Sequence, residues 1–236
     1  MKRRIWELDA FRGICILGMI LVHLVFDVTE LYGFVDWAYP PLFSLIKDWG
    51  GICFILLSGV CATLGSRSLR RGVIVFGCGM LCTLVTLGMY LLGLADKSIL
   101  IWFGVLHCLG LCMVAWSLFR RLSTGWLALT GCLLAVLGFV FRMFPVSTPL
   151  LFPLGLVSPS FSSADYFPLL PHLGFFLLGA VLGRTVYREK TTRFPRVNAN
   201  QPALRFLCWC GRQSLLIYLL HQPVLMGIFQ IVEFIK

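Results

Sequence analysis

Long apolar stretches separated by short polar and basic runs dominate the chain. A helix that crosses a bilayer needs about 20 apolar residues, with a range of roughly 17 to 25. Seven segments approach that length, at 13–31, 50–64, 73–94, 99–118, 126–141, 167–182 and 214–234. The second, fifth and sixth are short and draw on their flanks. The pattern predicts an all-α, polytopic integral membrane helical bundle of about seven transmembrane helices, read as a single domain over residues 1–236. No internal repeat is visible, so a symmetric transporter gets no support.

The connections differ in character. The 32–49 loop carries Trp37, Tyr39, Pro40, Pro41 and Trp49, a set suited to the headgroup level. The 143–166 loop is rich in Pro and Ser yet still apolar, and reads as a segment that dips back where protein covers it. The inner stretch from Arg184 to Asn200 is polar and basic and reads as mobile, within a cytoplasmic basic loop at about 184–204.

Composition settles the broad class. Of the 236 residues 59% are hydrophobic and 13% charged, and the mean hydropathy is +0.91. Soluble domains are about 45 to 50% apolar and about 25% charged, so this chain is solvated by lipid. The formal charge of +10 does not point to nucleic acid, because the basic residues sit in short runs between apolar stretches. They act as topology signals. With a cytoplasmic N-terminus, 16 of the 20 basic residues fall inside, and only Lys47, Lys97, Arg142 and Lys236 fall outside. Seven spans then put the C-terminus outside.

Ten cysteines would mean a disulfide framework in a small secreted chain, but eight of these lie inside apolar stretches and no Cys-x-x-Cys occurs. They read as small packing residues. The basic start is followed by Glu7-Leu8-Asp9 and a long span without a cleavage site, which predicts a retained first helix.

Ionisable groups at membrane depth carry the functional signal, because they are costly there and face a bundle interior or a wet cavity. His23, His107 and His221 lie well inside three different spans at similar depth, a convergence that favours function over packing, and His172 sits nearer an end. From Arg12 to His23 is eleven residues, which returns to the same helix face within about 20° and climbs roughly 16 Å. Asp27 follows His23 at i+4, placed to hold the imidazole in one tautomer, and Glu30 follows at i+7. A base oriented by an acid is what proton removal from a nucleophile requires. The alternative is an interfacial Asp27, with His23 bonded to a neighbouring helix.

Weaker patterns accompany this stripe. Gly104 and Gly110 flank His107 at i±3, allowing close helix approach. Ser214, Tyr218 and His221 recur at helical spacing, with Gln222 adjacent and Pro223 beyond. Ser58-Gly59 reads as a polar site or a packing notch, and Asp165-Tyr166 as a polar site or a helix cap. Arg12, Arg67, Arg70, Arg71, Arg120, Arg121 and Arg184 end spans at the inner rim, where they suit a multiply phosphorylated ligand or simply anionic lipid.

These residues resemble a known family. Glu7-Leu8-Asp9-Ala10-Phe11-Arg12-Gly13, with His23 after ten intervening residues, is similar to the Arg-x10-His signature of integral-membrane acyltransferases of the acyltransferase-3 type. The blocks Trp49 to Gly59, Phe103-Gly104-Val105-Leu106-His107, Asp165 to Pro171 and Gly211 to Pro223 resemble the bacterial heparan-alpha-glucosaminide N-acetyltransferase catalytic-domain-like family. The resemblance implies passage of an acyl group, with acetyl the expected one, from cytoplasmic acetyl-CoA or another acyl-CoA to a sugar or other hydroxyl or amine acceptor on the outer side of a bacterial inner membrane. His23 would be the catalytic base with Asp27 beside it, and Arg12, Arg67, Arg70 and Arg71 would serve the donor. From the residues themselves, His107 and His221 are expected to orient substrate or hold the oxygen of the developing tetrahedral species, with Tyr218, Ser58 and Asp165 as further substrate-binding candidates. No metal, haem or nucleic acid enters this expectation, and a homo-oligomer stays open. The competing reading is a transporter or flippase of small anions or lipid-linked sugars using the same groups without chemistry. A b-type haem carrier ligated by the histidines is a third.

Overall fold

The computed structural model describes residues 4–144, 146 and 149–235. Lys2, Arg3 and Lys236, which entered the charge count, lie outside these residues, as do Pro145, Ser147 and Thr148 of the 143–166 loop and the side chains of Asp48 and Glu233. Among the described residues eight α-helices follow in order: α1 (Trp6–Phe26), α2 (Pro41–Leu64), α3 (Ser68–Leu91), α4 (Val105–Phe119), α5 (Thr124–Phe141), α6 (Leu169–Thr185), α7 (Pro202–Arg212) and α8 (Ser214–Ile235). A five-residue π turn, Asp27–Leu31, continues α1, and 3-10 turns occur at Lys97–Ile99 and Pro149–Leu154. No strand occurs among the described residues beyond one bridge between Phe103 and Tyr166. The all-α membrane class holds.

Each of the seven apolar segments falls on a helix, but the helices are not equal. Four are long and apolar enough to cross a membrane: Trp6–Leu31, Ser68–Leu91, Thr124–Phe141 and Ser214–Val232. A fifth is added if Pro41–Lys47 and Trp49–Leu64, bent by 42°, form one span. At 15 and 17 residues α4 and α6 are shorter, reaching roughly 22 and 26 Å against a hydrocarbon core of about 30 Å. Length and composition therefore support four or five spans, with two shorter apolar helices completing the seven segments. Burial explains the short pair. Eight of the 15 residues of α4 and ten of the 17 of α6 are buried, so protein surrounds them. The long helices instead expose apolar side chains such as Leu84, Leu133 and Ile228, as lipid-facing surfaces do.

The chain divides into two units. One holds residues up to Phe54 together with Glu189 onward, and the other runs from Ile55 to Arg188. In the second unit the later part of α2 meets α6 backbone to backbone. A Cβ on Gly59 would strike the Phe176 carbonyl, and one on Gly179 would strike that of Leu56, so only glycine permits this approach. Arg184 at the end of α6 donates to the carbonyls of Leu122 (2.6 Å) and Arg120 (2.7 Å) and lies over the Trp116 ring. Those bonds tie α6 to the exit of α4.

In the first unit α7 lies across the start of α1. Gly13 abuts the Leu207 carbonyl and Gly211 that of Asp9, while the Cys208 thiol donates to the Trp6 carbonyl at 3.4 Å. Glu7 accepts from the Thr192 hydroxyl (2.8 Å) and the Arg193 backbone N–H (2.7 Å), anchoring the 184–204 stretch to α1, and Pro202 then opens α7 in its first turn. At the other end of this unit Tyr32, Phe34 and Phe229 pack ring against ring.

Candidate functional site

The face of α1 marked by Arg12 and His23 turns toward the α7–α8 segment. Arg12 Nη1 donates to Asp9 Oδ1 at 3.3 Å and to the Gly211 carbonyl of α7 at 3.4 Å. Asp9 also faces Arg4 at 3.8 Å. Arg12 is thus held between its own helix and the end of α7. Three turns further along, His23 meets His221 of α8, with ring centroids 4.8 Å apart and planes nearly perpendicular at 79°. The eleven-residue stripe and the arrival of a second imidazole are realised together.

Each ring is oriented by its own helix. His23 Nδ1 faces the Met19 carbonyl at 2.9 Å, and His221 Nδ1 faces the Tyr218 carbonyl at 2.5 Å. A carbonyl only accepts, so each Nδ1 carries its proton, and in the neutral ring Nε2 keeps a lone pair. The His221 Nε2 is buried without a hydrogen-bond partner, and so is the Oε1 of Gln222. Two acceptors therefore stand ready for a donor group.

Asp27 does not orient His23 as the i+4 spacing predicted. Helical side chains lean toward the N-terminus, which carries the His23 ring N–H back to Met19 and away from the following turn. The fully buried carboxylate of Asp27 instead receives the Gln222 amide, with Nε2 at 3.1 Å from both oxygens. The π turn begins at Asp27, where the helix changes phase. Beyond it Thr29, Tyr39 and Glu30 are linked by hydrogen bonds of 2.8 and 3.1 Å. Gln222 is the member that the sequence pointed to least. Its only signal was a polar residue next to His221 and before a proline inside an apolar span.

The other expected residues belong to the second unit and make separate arrangements. His107 is 2% exposed and has both ring nitrogens engaged. Its Nδ1 accepts from the Gly104 N–H at 3.1 Å, and its Nε2 lies 3.3 Å from Thr83 Oγ1, which itself donates to the Ile101 carbonyl. Both ring nitrogens of His107 are thus engaged within the protein. Asp165 accepts from the Val105 N–H at 2.9 Å, securing the first turn of α4 as a cap does. Ser58 is buried beside the Gly59 contact of α2 with α6. Arg67, Arg70 and Arg71 are exposed around the start of α3. Tyr218 lies next to His221, ring centroids 5.4 Å apart.

All ten cysteines are free thiols. Among the described residues no group of three or more His, Cys, Asp or Glu is placed to hold a metal ion. No curated protein and no solved structure matches the chain. The family model described as Heparan-alpha-glucosaminide N-acetyltransferase, catalytic, matches residues 4–223, a stretch that contains His23, Asp27, His221 and Gln222. With most of its length matched, the chain belongs to the family of heparan-alpha-glucosaminide N-acetyltransferase catalytic domains.

Proposed function

We propose that the protein is an integral-membrane acyltransferase that moves an acetyl group from cytoplasmic acetyl-CoA to a hydroxyl or amine of a sugar-like acceptor on the outer side. Family membership supports acetyl transfer as the reaction class. The observation that carries the site is the His23–His221 pair, two imidazoles in contact whose Nδ1 protons are held by backbone carbonyls.

In this reading His23 is the general base. As the acceptor oxygen or nitrogen attacks the thioester carbonyl, His23 Nε2 takes its proton. Collapse of the tetrahedral species breaks the C–S bond, and the same proton passes to the departing thiolate to give free CoA and acetylated product. The Met19 carbonyl performs the orienting task first expected of Asp27, and it stabilises the imidazolium formed in the step. His221 Nε2 and Gln222 Oε1 accept hydrogen bonds from the acceptor and align it, with Tyr218 beside them. Asp27 keeps the Gln222 amide turned so that its oxygen is presented. Arg12 is a positioning residue that fixes α7 to α1.

The test is incubation of the purified protein with radiolabelled acetyl-CoA and a panel of envelope sugars. Release of CoA with label in a sugar product is the expected result. Intact acetyl-CoA with every acceptor in the panel, from protein that retains its helical content, would turn the reading toward transport.

A further inference from the structure

Beside α7 runs an open groove of about 650 Å³, lined by Trp6, Asn200, Arg205, Phe206, Trp209 and Arg212 among others. The helix is strongly two-sided. Cys208, Cys210 and Gly211 are buried, the last against α1, whereas Phe206 and Trp209 remain 54% and 50% exposed. Their rings lie near parallel, with centroids 6.4 Å apart. Two large aromatic side chains held outward on an otherwise packed helix call for an apolar neighbour.

The position of α7 says which neighbour. At 11 residues it reaches roughly 16 Å and cannot cross a bilayer. It lies against the part of α1 where Arg4, Glu7, Asp9 and Arg12 are concentrated, so it sits where that span meets water. Interfacial helices have this build, with aromatics on one side and cations flanking them. The charges are also uncommitted. Arg205 and Arg212 are two turns apart on one face, both exposed, and the ion pairs among the described residues involve only Arg4 and Arg12 with Asp9. Arg184, by contrast, is already hydrogen-bonded to carbonyls.

We propose that the α7 groove is a binding site for an anionic phospholipid, whose phosphate is held by Arg205 and Arg212 while its glycerol and upper acyl carbons rest on Phe206 and Trp209. Basic sites beside membrane helices take such headgroups by charge, and the aromatic pair supplies the apolar contact a free phosphate would not need.

The experiment uses the full chain in nanodiscs of phosphatidylcholine with phosphatidylglycerol, followed by gentle extraction and counting of the retained lipid. The wild type is expected to retain phosphatidylglycerol preferentially. Each of Arg205→Gln and Arg212→Gln should lower that preference about fivefold, and the double variant roughly thirtyfold. Arg188→Gln, an exposed arginine outside the groove, should leave it unchanged. If the double variant does not fold, the two single variants carry the test. A preference that survives both substitutions, or that falls equally in Arg188→Gln, overturns the site. Added ADP or inorganic phosphate separates the two sources of a phosphate group. Retention of the lipid in their presence upholds the proposal, and its displacement overturns it in favour of a soluble phosphate.

Discussion

Two settings of intramembrane histidine stand side by side in this molecule, and the difference lies in the second nitrogen. In the 55–188 unit His107 is almost wholly enclosed, with Gly104 on one nitrogen and Thr83 on the other. Gly79 leaves room for that ring, since a Cβ there would press on it. In the other unit His23 and His221 are only partly buried, each spends one nitrogen on a carbonyl of its own helix, and they contact each other edge to face. A histidine in an apolar span is therefore ambiguous until its partners are counted. His107, with both nitrogens bonded, reads as a packing element, whereas the paired His23 and His221, each with one, read as candidates for chemistry.

The comparison can be broken by substitution. The largest effect on stability is expected at His107→Ala, which removes two buried hydrogen bonds and opens a hole beside Phe76 and Phe103. A loss of about 3 kcal/mol is expected. His221→Ala, in a partly buried setting with one backbone bond, should cost only about 1 kcal/mol. Denaturant unfolding in detergent compares the pair, and equal losses would erase the distinction. Thr83→Val is the next step down. It strips His107 Nε2 of its partner and should cost about 1 to 2 kcal/mol with no change in the acetyl-transfer rate of the folded fraction. The smallest effect belongs to Asp27→Asn. The asparagine oxygen still accepts from Gln222, so stability should move by less than about 1 kcal/mol while turnover falls only several-fold through the loosened Gln222. A collapse of turnover as deep as that of a lost base would return Asp27 to direct chemistry.

Much of this arrangement was legible in the residues. Apolar length located all seven hydrophobic helices, and the eleven residues from Arg12 to His23 placed both on the face that meets α7 and α8. α4 and α6 are shorter than the other spans because protein surrounds them, a difference that hydropathy does not register. α7 was hidden for another reason. Its 11 residues carry only a short apolar run, Phe206 to Cys210, between Arg205 and Arg212, too short to read as a span, and only its periodicity betrays a helix. The Asp27–Gln222 contact joins residues 195 apart in sequence, beyond any local spacing rule. The direction of the His23 ring depends on how a helical side chain leans, and the i+4 rule gave the right neighbourhood with the wrong partner.

The central claim is that His23 is the base and the enclosed His107 is not. Its most direct test is the single-turnover rate of acetyl transfer by His23→Ala, measured beside wild type in protein whose melting temperature and acetyl-CoA affinity are unchanged. The account predicts a fall of about 100- to 10,000-fold. Full acetyl transfer by His23→Ala, with transfer abolished instead in folded His107→Ala, would contradict it.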